Sequence, residues 1–186
     1  ILPSPLAVAQ AWITRPNLFI HHGAITMAEI LLGLTFGLAL GIASALVMAY
    51  FRPARQWLMP VLVVSQAVPV FALAPILVLW VGYGMASKVV MATLIIYFPV
   101  TAAFHDGLRR TEPGWVELAR TMNGNRWAIL RHVRIPAALP ALGSGLRVAT
   151  AVAPIGAIVG EWVGSSSGLG YLMLHANARM QIDIMF

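Results

Sequence analysis

Residues 117–140 read ELARTMNGNRWAILRHVRIPAALP, a stretch with four arginines between two long apolar runs. The chain of 186 residues is 60% hydrophobic and only 10% charged, with a mean hydropathy of +0.83. A soluble domain carries roughly 25% charged residues. The composition therefore predicts a membrane protein, with this stretch as a loop at its surface.

Four apolar runs are long enough to cross a bilayer, which takes about 20 residues. They cover residues 24–51, 57–81, 88–104 and 138–162, and a fifth begins at 182. Near the start of the chain, Ser4 and Pro5 indicate the beginning of a short helix on the membrane surface. We predict an all-α bundle of transmembrane helices that forms a single domain over residues 1–186.

The arginines indicate the orientation of the bundle. Arg52 and Arg55 follow the first run, and the opening stretch follows the third, so both loops lie on one side. The positive-inside rule makes that side cytoplasmic and places Lys88 outside. The formal charge of +6 therefore reflects topology, and the chain lacks the basic face with interleaved aromatics of a nucleic-acid-binding protein.

The arginine-rich loop has the pattern of two short amphipathic helices. Pro113 is suited to the first turn of a helix, and apolar residues recur from there at spacings of three and four. Asn and Gly tolerate a left-handed backbone, so the sequence NGN at 123–125 predicts a tight corner. A second helix from Arg126 is expected to end at Pro136.

This loop resembles the cytoplasmic EAA loop of ABC importer permeases, whose pattern is Glu-Ala-Ala, three residues, Gly, nine residues, Ile-x-Leu-Pro. Residues 117–119 stand at the Glu-Ala-Ala positions, and residues 133–136 are in register with Ile-x-Leu-Pro. Asn123 stands where the family has glycine, and Gly124 follows it.

In that family the loop docks on a separate ATPase subunit and transmits its closure to the membrane helices. The resemblance implies a coupling loop over 113–136. Its coupling residues would be Glu117, Leu118, Ala119, Met122, Asn123, Gly124, Trp127, Leu130 and Pro136. The alternative is a pair of interfacial helices lying on anionic lipid.

The resemblance extends along most of the chain. Residues 66–100 are similar to permeases of the nitrate, sulfonate and taurine group, and residues 153–186 look most like the branch assigned to pyrimidine precursors of thiamine. It implies the fold of a type I importer permease in the bacterial inner membrane. It also implies a second permease copy, two ATPase subunits and an extracytoplasmic binding protein. Since family members have about six crossings, the chain would lack the first helix and most of the last.

The resulting functional prediction is an importer permease for a thiamine pyrimidine precursor, with sulfonate, taurine or nitrate as the alternative solute. The chain itself should bind no cofactor, because ATP and Mg belong to the partner ATPase. GSSSGLG at 164–170 lacks the Lys-Ser/Thr of a phosphate-binding loop, and the histidines have no metal-binding spacing. An intramembrane enzyme is disfavoured since the buried parts of the four apolar runs contain no paired carboxylates, no HExxH and no GxSxG, and a channel or scaffold would not need the EAA-like loop.

Other positions invite two interpretations each. Gly33, Gly37 and Gly41 form a row of small residues that predicts a helix-packing seam, with gating by helix sliding as the alternative. Glu161 and Trp162 either anchor the fourth crossing at the outer interface or line the translocation path.

Prolines interrupt the second crossing. Pro69 and Pro75 flank VFALA and either line the path at a broken helix or only kink the helix.

Overall fold

The computed structural model describes residues 3–186 and is helical over nearly all of that range, with no strand among those residues. The α-helices are α1 (Pro5–Thr14), α2 (Pro16–Tyr50), α3 (Arg52–Ser65), α4 (Val70–Val81), α5 (Met85–Arg109), α6 (Pro113–Thr121), α7 (Arg126–Ile129), α8 (Ile135–Trp162), α9 (Leu169–Ala178) and α10 (Ile182–Met185). A π-helical turn at Leu130–Arg134 joins α7 to α8. The predicted all-α class is confirmed.

Three helical segments are long and apolar enough to cross a membrane. They are Pro16–Tyr50, Met85–Arg109 and Arg126–Trp162, and α3 with α4 provides a fourth if the pair is one broken span. The break at residues 66–69 ends at Pro69, which cannot donate a backbone hydrogen bond, so the predicted interruption of the second crossing is present. Pro60 and Pro75, by contrast, lie within α3 and α4.

The first predicted helix is present as well. Ser4 accepts a hydrogen bond from the Ala7 N–H at 3.3 Å, and Pro5 is the first residue of α1. A serine at this position satisfies one of the free N–H groups of the first turn. The sequence pattern therefore located this helix start correctly.

The chain forms two compact units. The first unit takes residues up to Gly33, Val70–Thr93 and Ala153–Phe186, and the second takes Leu34–Pro69 and Leu94–Val152. Each unit contains segments of α2, α5 and α8.

Small residues allow close helix packing inside each unit. In the second unit a Cβ added to Gly41 would lie 2.7 Å from Val100 Cγ1, and in the first a Cβ on Gly33 would lie 2.5 Å from Ala92 Cβ. Both distances are too short for any larger side chain, so these glycines let α2 approach α5 directly. Gly37 is buried too.

The core of the second unit supports the arginine-rich loop. It consists of Ala45, Phe104, Leu108, Leu130 and Ala138, all buried. Leu130 belongs to the turn that follows α7, so the loop is packed onto the helices that precede it. In a membrane protein such packing must hold the bundle, because lipid offers no hydrophobic drive between helices.

Candidate functional site

The helix α6 has one buried and one exposed apolar side. Val116 is buried, which fixes the helix against the rest of the second unit. Trp115, Leu118 and Met122 are 54%, 62% and 76% exposed. Large apolar side chains at this exposure, following one another at helical spacing, are a surface that a partner can cover.

The corner after α6 has the geometry of a Schellman motif. Asn123 has φ of 57°, its N–H donates to the Arg120 carbonyl at 2.9 Å, and the Gly124 N–H donates to the Ala119 carbonyl at 2.9 Å. This pairing closes the last turn of a helix around one left-handed residue, a position that glycine usually occupies. The predicted left-handed corner is confirmed, with Asn123 as its left-handed residue.

Asn123→Gly should leave this corner intact, whereas Asn123→Val should destabilise it by about 1–2 kcal/mol, because a β-branched residue is disfavoured at positive φ. Thermal unfolding of the purified protein in detergent would measure the difference. Equal melting temperatures for the two variants would show that the corner adopts another backbone conformation.

The second helix of the loop starts at a capped residue and then turns inward. Asn125 Oδ1 accepts a hydrogen bond from the Ala128 N–H at 2.8 Å, which fixes the start of α7. Ile129 and Leu130 are buried, whereas Trp127 is 55% exposed. Of the predicted coupling residues, Leu130 therefore lies in the core and not on the exposed stripe.

The expected end of the second helix at Pro136 is wrong. The π-helical turn carries the chain from α7 into α8, and the Ile135 N–H donates to the Leu130 carbonyl five residues earlier. A proline in a regular helix clashes with the carbonyl four residues before it. The wider turn places Pro136 just after the irregular hydrogen bonding, so the helix continues to Trp162.

Glu117 is an exposed carboxylate on the same helix as the apolar stripe. Among residues 3–186 the ion pairs are Lys88–Glu29 and Arg110–Asp106, so Glu117 has no internal partner of opposite charge. A shallow apolar groove, whose lining does not include Glu117, follows the apolar stripe of the same helix. The groove is lined by Trp115, Leu118, Ala119, Met122, His132, Val133, Pro136 and Ala137. A carboxylate and an apolar groove together suit a partner that offers a basic group and apolar side chains.

The first unit contains a buried ion pair. Glu29 Oε1 lies 3.3 Å from Lys88 Nζ, and the two side chains are 0% and 4% exposed. Lys88 belongs to the first turn of α5 and its charge is paired inside the protein, whereas its expected position at the outer side of the membrane stays a prediction. Charged groups at membrane depth are costly unless they are paired, which explains the arrangement.

A second group of buried polar side chains holds the start of α9. The Thr26 hydroxyl donates to Glu161 Oε1 at 2.6 Å and accepts from the Leu169 N–H at 2.8 Å. The Gly168 N–H donates to His22 Nδ1 at 2.9 Å, and the Gly170 N–H donates to Glu161 Oε2. These bonds satisfy N–H groups that the first turn of a helix leaves free.

The interpretation of Glu161 as an anchor at the membrane interface is wrong. Its side chain is 1% exposed and is held by Thr26 and the Gly170 N–H. Hydropathy could not reveal this, because Thr26 is 135 residues away in the chain. Trp162 is 41% exposed beside it, and Pro69 and Pro75 are exposed.

Gly168→Ala should destabilise the first unit by about 1–3 kcal/mol or more. Its φ is 110°, and an added Cβ would overlap the Glu161 carboxyl group. Gly143→Ala is the matched control, because that glycine is exposed and its Cβ would meet nothing within 4 Å. Detergent unfolding should separate the two variants, and equal stability would contradict the described contact between Gly168 and Glu161.

Residues 37–186 match the model of the binding-protein-dependent transport system inner membrane component family. The chain belongs to this family. It is therefore a multi-pass membrane permease of the ABC importer class, and as such a transport subunit and not an enzyme.

Individual relatives agree with this assignment. The “Probable ABC transporter permease protein” of Haemophilus influenzae is 60% identical over 100% of this chain and 76% of its own length. The formylaminopyrimidine transport permease protein ThiX of Halalkalibacterium halodurans is 41% identical over 92% of this chain and 69% of its own length. Further relatives are named for riboflavin, aliphatic sulfonates and taurine, so the expected relation to the sulfonate and taurine group is confirmed.

A solved structure shows the same fold. It is described as inward-facing conformations of the MetNI methionine ABC transporter, and one of its chains aligns with a TM-score of 0.74 and 20% identity. The alignment covers 87% of this permease and 81% of that chain. The predicted fold of an importer permease is thus confirmed.

Proposed function

We propose that residues 113–136 of the permease dock an ABC ATPase subunit and transmit its closure to the membrane helices. The observation that carries the proposal is the exposed stripe of Trp115, Leu118 and Met122, on the same helix as the exposed Glu117, which has no ion-pair partner among residues 3–186. The Schellman corner makes the stripe rigid, so a displacement of α6 is passed to the turn after it.

The coupling step follows from how the loop is built. The buried side chains of Val116 and Leu130 fix the loop to the rest of the second unit. The helix that starts at Arg126 runs without a break to Trp162. A force on α6 would therefore act on a long membrane helix and not on a flexible connector. Among the predicted coupling residues, Leu130 supports the loop from inside, whereas Glu117, Leu118, Met122 and Trp127 meet the partner.

The proposed assembly has two copies of the permease, two ATPase subunits that hold ATP and Mg, and an extracytoplasmic solute-binding protein. It lies in the bacterial inner membrane, with the arginine-rich loop in the cytoplasm. In this arrangement Pro69, Pro75 and Trp162 lie on the translocation path. Glu161 is buried, so its role is to hold the loop that follows Trp162 and not to meet the solute directly.

The proposed solute is a pyrimidine precursor of thiamine. The support is the 41% identity with a permease named for formylaminopyrimidine, which covers 92% of this chain. Relatives named for taurine and aliphatic sulfonates supply the alternative, and a relative named for riboflavin adds a second ring compound.

Uptake by the full-length permease tests both levels of the proposal. The permease is reconstituted in vesicles with its ATPase and binding protein, and labelled aminopyrimidine, riboflavin and taurine are supplied in parallel. ATP-dependent uptake of the aminopyrimidine alone is expected. If taurine or riboflavin is taken up instead, the proposed transport mechanism stands but the proposed solute is wrong. If uptake does not depend on ATP, the proposed coupling to the ATPase is wrong.

A further inference from the structure

Five arginines surround one cavity in the second unit. The cavity has a volume of about 360 Å³. Its charged lining residues are Arg52, Arg55, Arg120, Arg126 and Arg134. They come from three places in the chain: the start of α3, the end of α6 and the continuous helix that begins at Arg126. The fold thus gathers positive charges that the sequence separates by up to 82 positions (134 − 52).

Within the described part of the chain, no acidic side chain forms an ion pair with these arginines. The ion pairs among residues 3–186 are Lys88–Glu29 and Arg110–Asp106, and none of the five takes part. Arg134 Nε is buried and makes no hydrogen bond. A buried donor without an acceptor is costly, and like charges around one cavity repel each other. Both costs fall if an anion occupies the cavity.

The chemistry and the position of the cavity indicate which anion fits. The planar guanidinium group binds phosphate oxygens through two parallel hydrogen bonds. Arg52 begins α3, two residues after the candidate membrane span that ends at Tyr50, so the predicted topology places this end of the cavity at the depth of lipid headgroups. Met48, Ile129 and Leu130 give the same cavity apolar walls.

We propose that this cavity binds a phosphate group, supplied by the headgroup of an anionic phospholipid. Basic pockets between membrane helices on the cytoplasmic side are suited to such headgroups. Binding would fix α6 and the start of α7 to the end of α2. The cavity shares Gly124 and Leu130 with the predicted coupling residues but does not include Trp115, Leu118 or Met122, so the exposed docking stripe would stay free when lipid is bound.

The test measures lipid binding by the full-length permease alone in nonionic detergent. Phosphatidylglycerol, phosphatidylcholine and free pyrophosphate are titrated, and binding is followed by native mass spectrometry and by the melting temperature. Phosphatidylglycerol should bind and raise the melting temperature, and phosphatidylcholine should do neither. Free pyrophosphate is expected to bind more weakly, because it lacks the acyl chains that reach the apolar walls.

Variants locate the site. Arg126→Gln and Arg134→Gln should each weaken phosphatidylglycerol binding about tenfold or more, which is the loss of one charge-assisted interaction. Arg131→Gln removes the same charge from an exposed position that does not line the cavity, so it should change binding less than about twofold. Arg126 is exposed, so its variant keeps the test valid if Arg134→Gln fails to fold.

Three results would overturn the proposal. The first is that Arg131→Gln weakens phosphatidylglycerol binding as much as the two cavity variants do. The second is that neither cavity variant changes this binding, and the third is that the wild type binds phosphatidylglycerol no better than phosphatidylcholine. If free pyrophosphate binds more tightly than phosphatidylglycerol, the cavity is a phosphate site but a phospholipid headgroup is not the source of the phosphate. The readout is independent of transport, so failure here leaves the proposed coupling function unaffected.

Discussion

Glu117→Lys is expected to cut ATP-driven uptake at least about tenfold while the permease still folds and inserts. Glu117 is exposed and has no ion pair among residues 3–186, so its removal breaks no described internal ion pair. If Glu117 meets a basic group of the ATPase, reversing its charge places like charges together, which costs several kcal/mol, and each 1.4 kcal/mol is tenfold in affinity. Uptake in vesicles and co-purification of the ATPase would measure the effect.

Glu112→Lys is the matched control. Glu112 precedes α6, is exposed and makes no side-chain capping hydrogen bond, so the same charge change occurs a short distance along the same loop. It should retain most of the uptake. If Glu117→Lys transports as well as the wild type, the docking role of the loop is wrong. If both variants lose uptake equally, the effect comes from the net charge of the loop and not from a specific contact at Glu117.

Lys88→Met should lower the free energy of unfolding by about 3 kcal/mol. Removing one partner of a buried pair leaves the other charge uncompensated, and such losses run to about 3–5 kcal/mol. Here the remaining group would be Glu29, whose side chain is 0% exposed. Unfolding of the detergent-solubilised protein with increasing dodecyl sulfate would give the value.

Two further variants separate charge from packing. Arg110→Met breaks the pair with Asp106, in which the side chains are 84% and 50% exposed and lie 3.8 Å apart, so it should cost no more than about 1 kcal/mol. Combining Lys88→Met with Glu29→Gln should restore part of the lost stability. If the double variant is no more stable than Lys88→Met, the loss comes from packing around Lys88 and not from the uncompensated charge on the buried Glu29.

Patterns that depend on neighbours in the chain predicted the structure well. The long apolar runs located the membrane helices, and Ser4 and Asn123 were recognised because capping and left-handed backbone are local properties. The ability of Asn to take positive φ explains why the loop keeps its corner although glycine is absent at that position.

Features that depend on distant partners were missed. Lys88 and Glu161 are charged residues near the ends of apolar runs, and hydropathy places such residues at the membrane surface. The structure buries both because Glu29 and Thr26, far away in the chain, provide partners. Pro136 was misjudged for a related reason, since the rule that proline ends a helix assumes regular hydrogen bonding in the turn before it.

The π-helical turn at Leu130–Arg134 is equivalent to an α-helix with one inserted residue, because each hydrogen bond there encloses one residue more than in an α-helix. An α-helix advances about 100° per residue. The wider turn absorbs the extra residue, so deleting a single residue such as His132 would restore regular α geometry and leave the direction of α7 around the axis of α8 nearly unchanged, whereas a deletion in the regular part of α8 would rotate everything before it by about that angle. The direction in which the docking stripe faces should therefore survive the loss of one residue at Leu130–Arg134, but not the loss of one residue from the regular helix that follows.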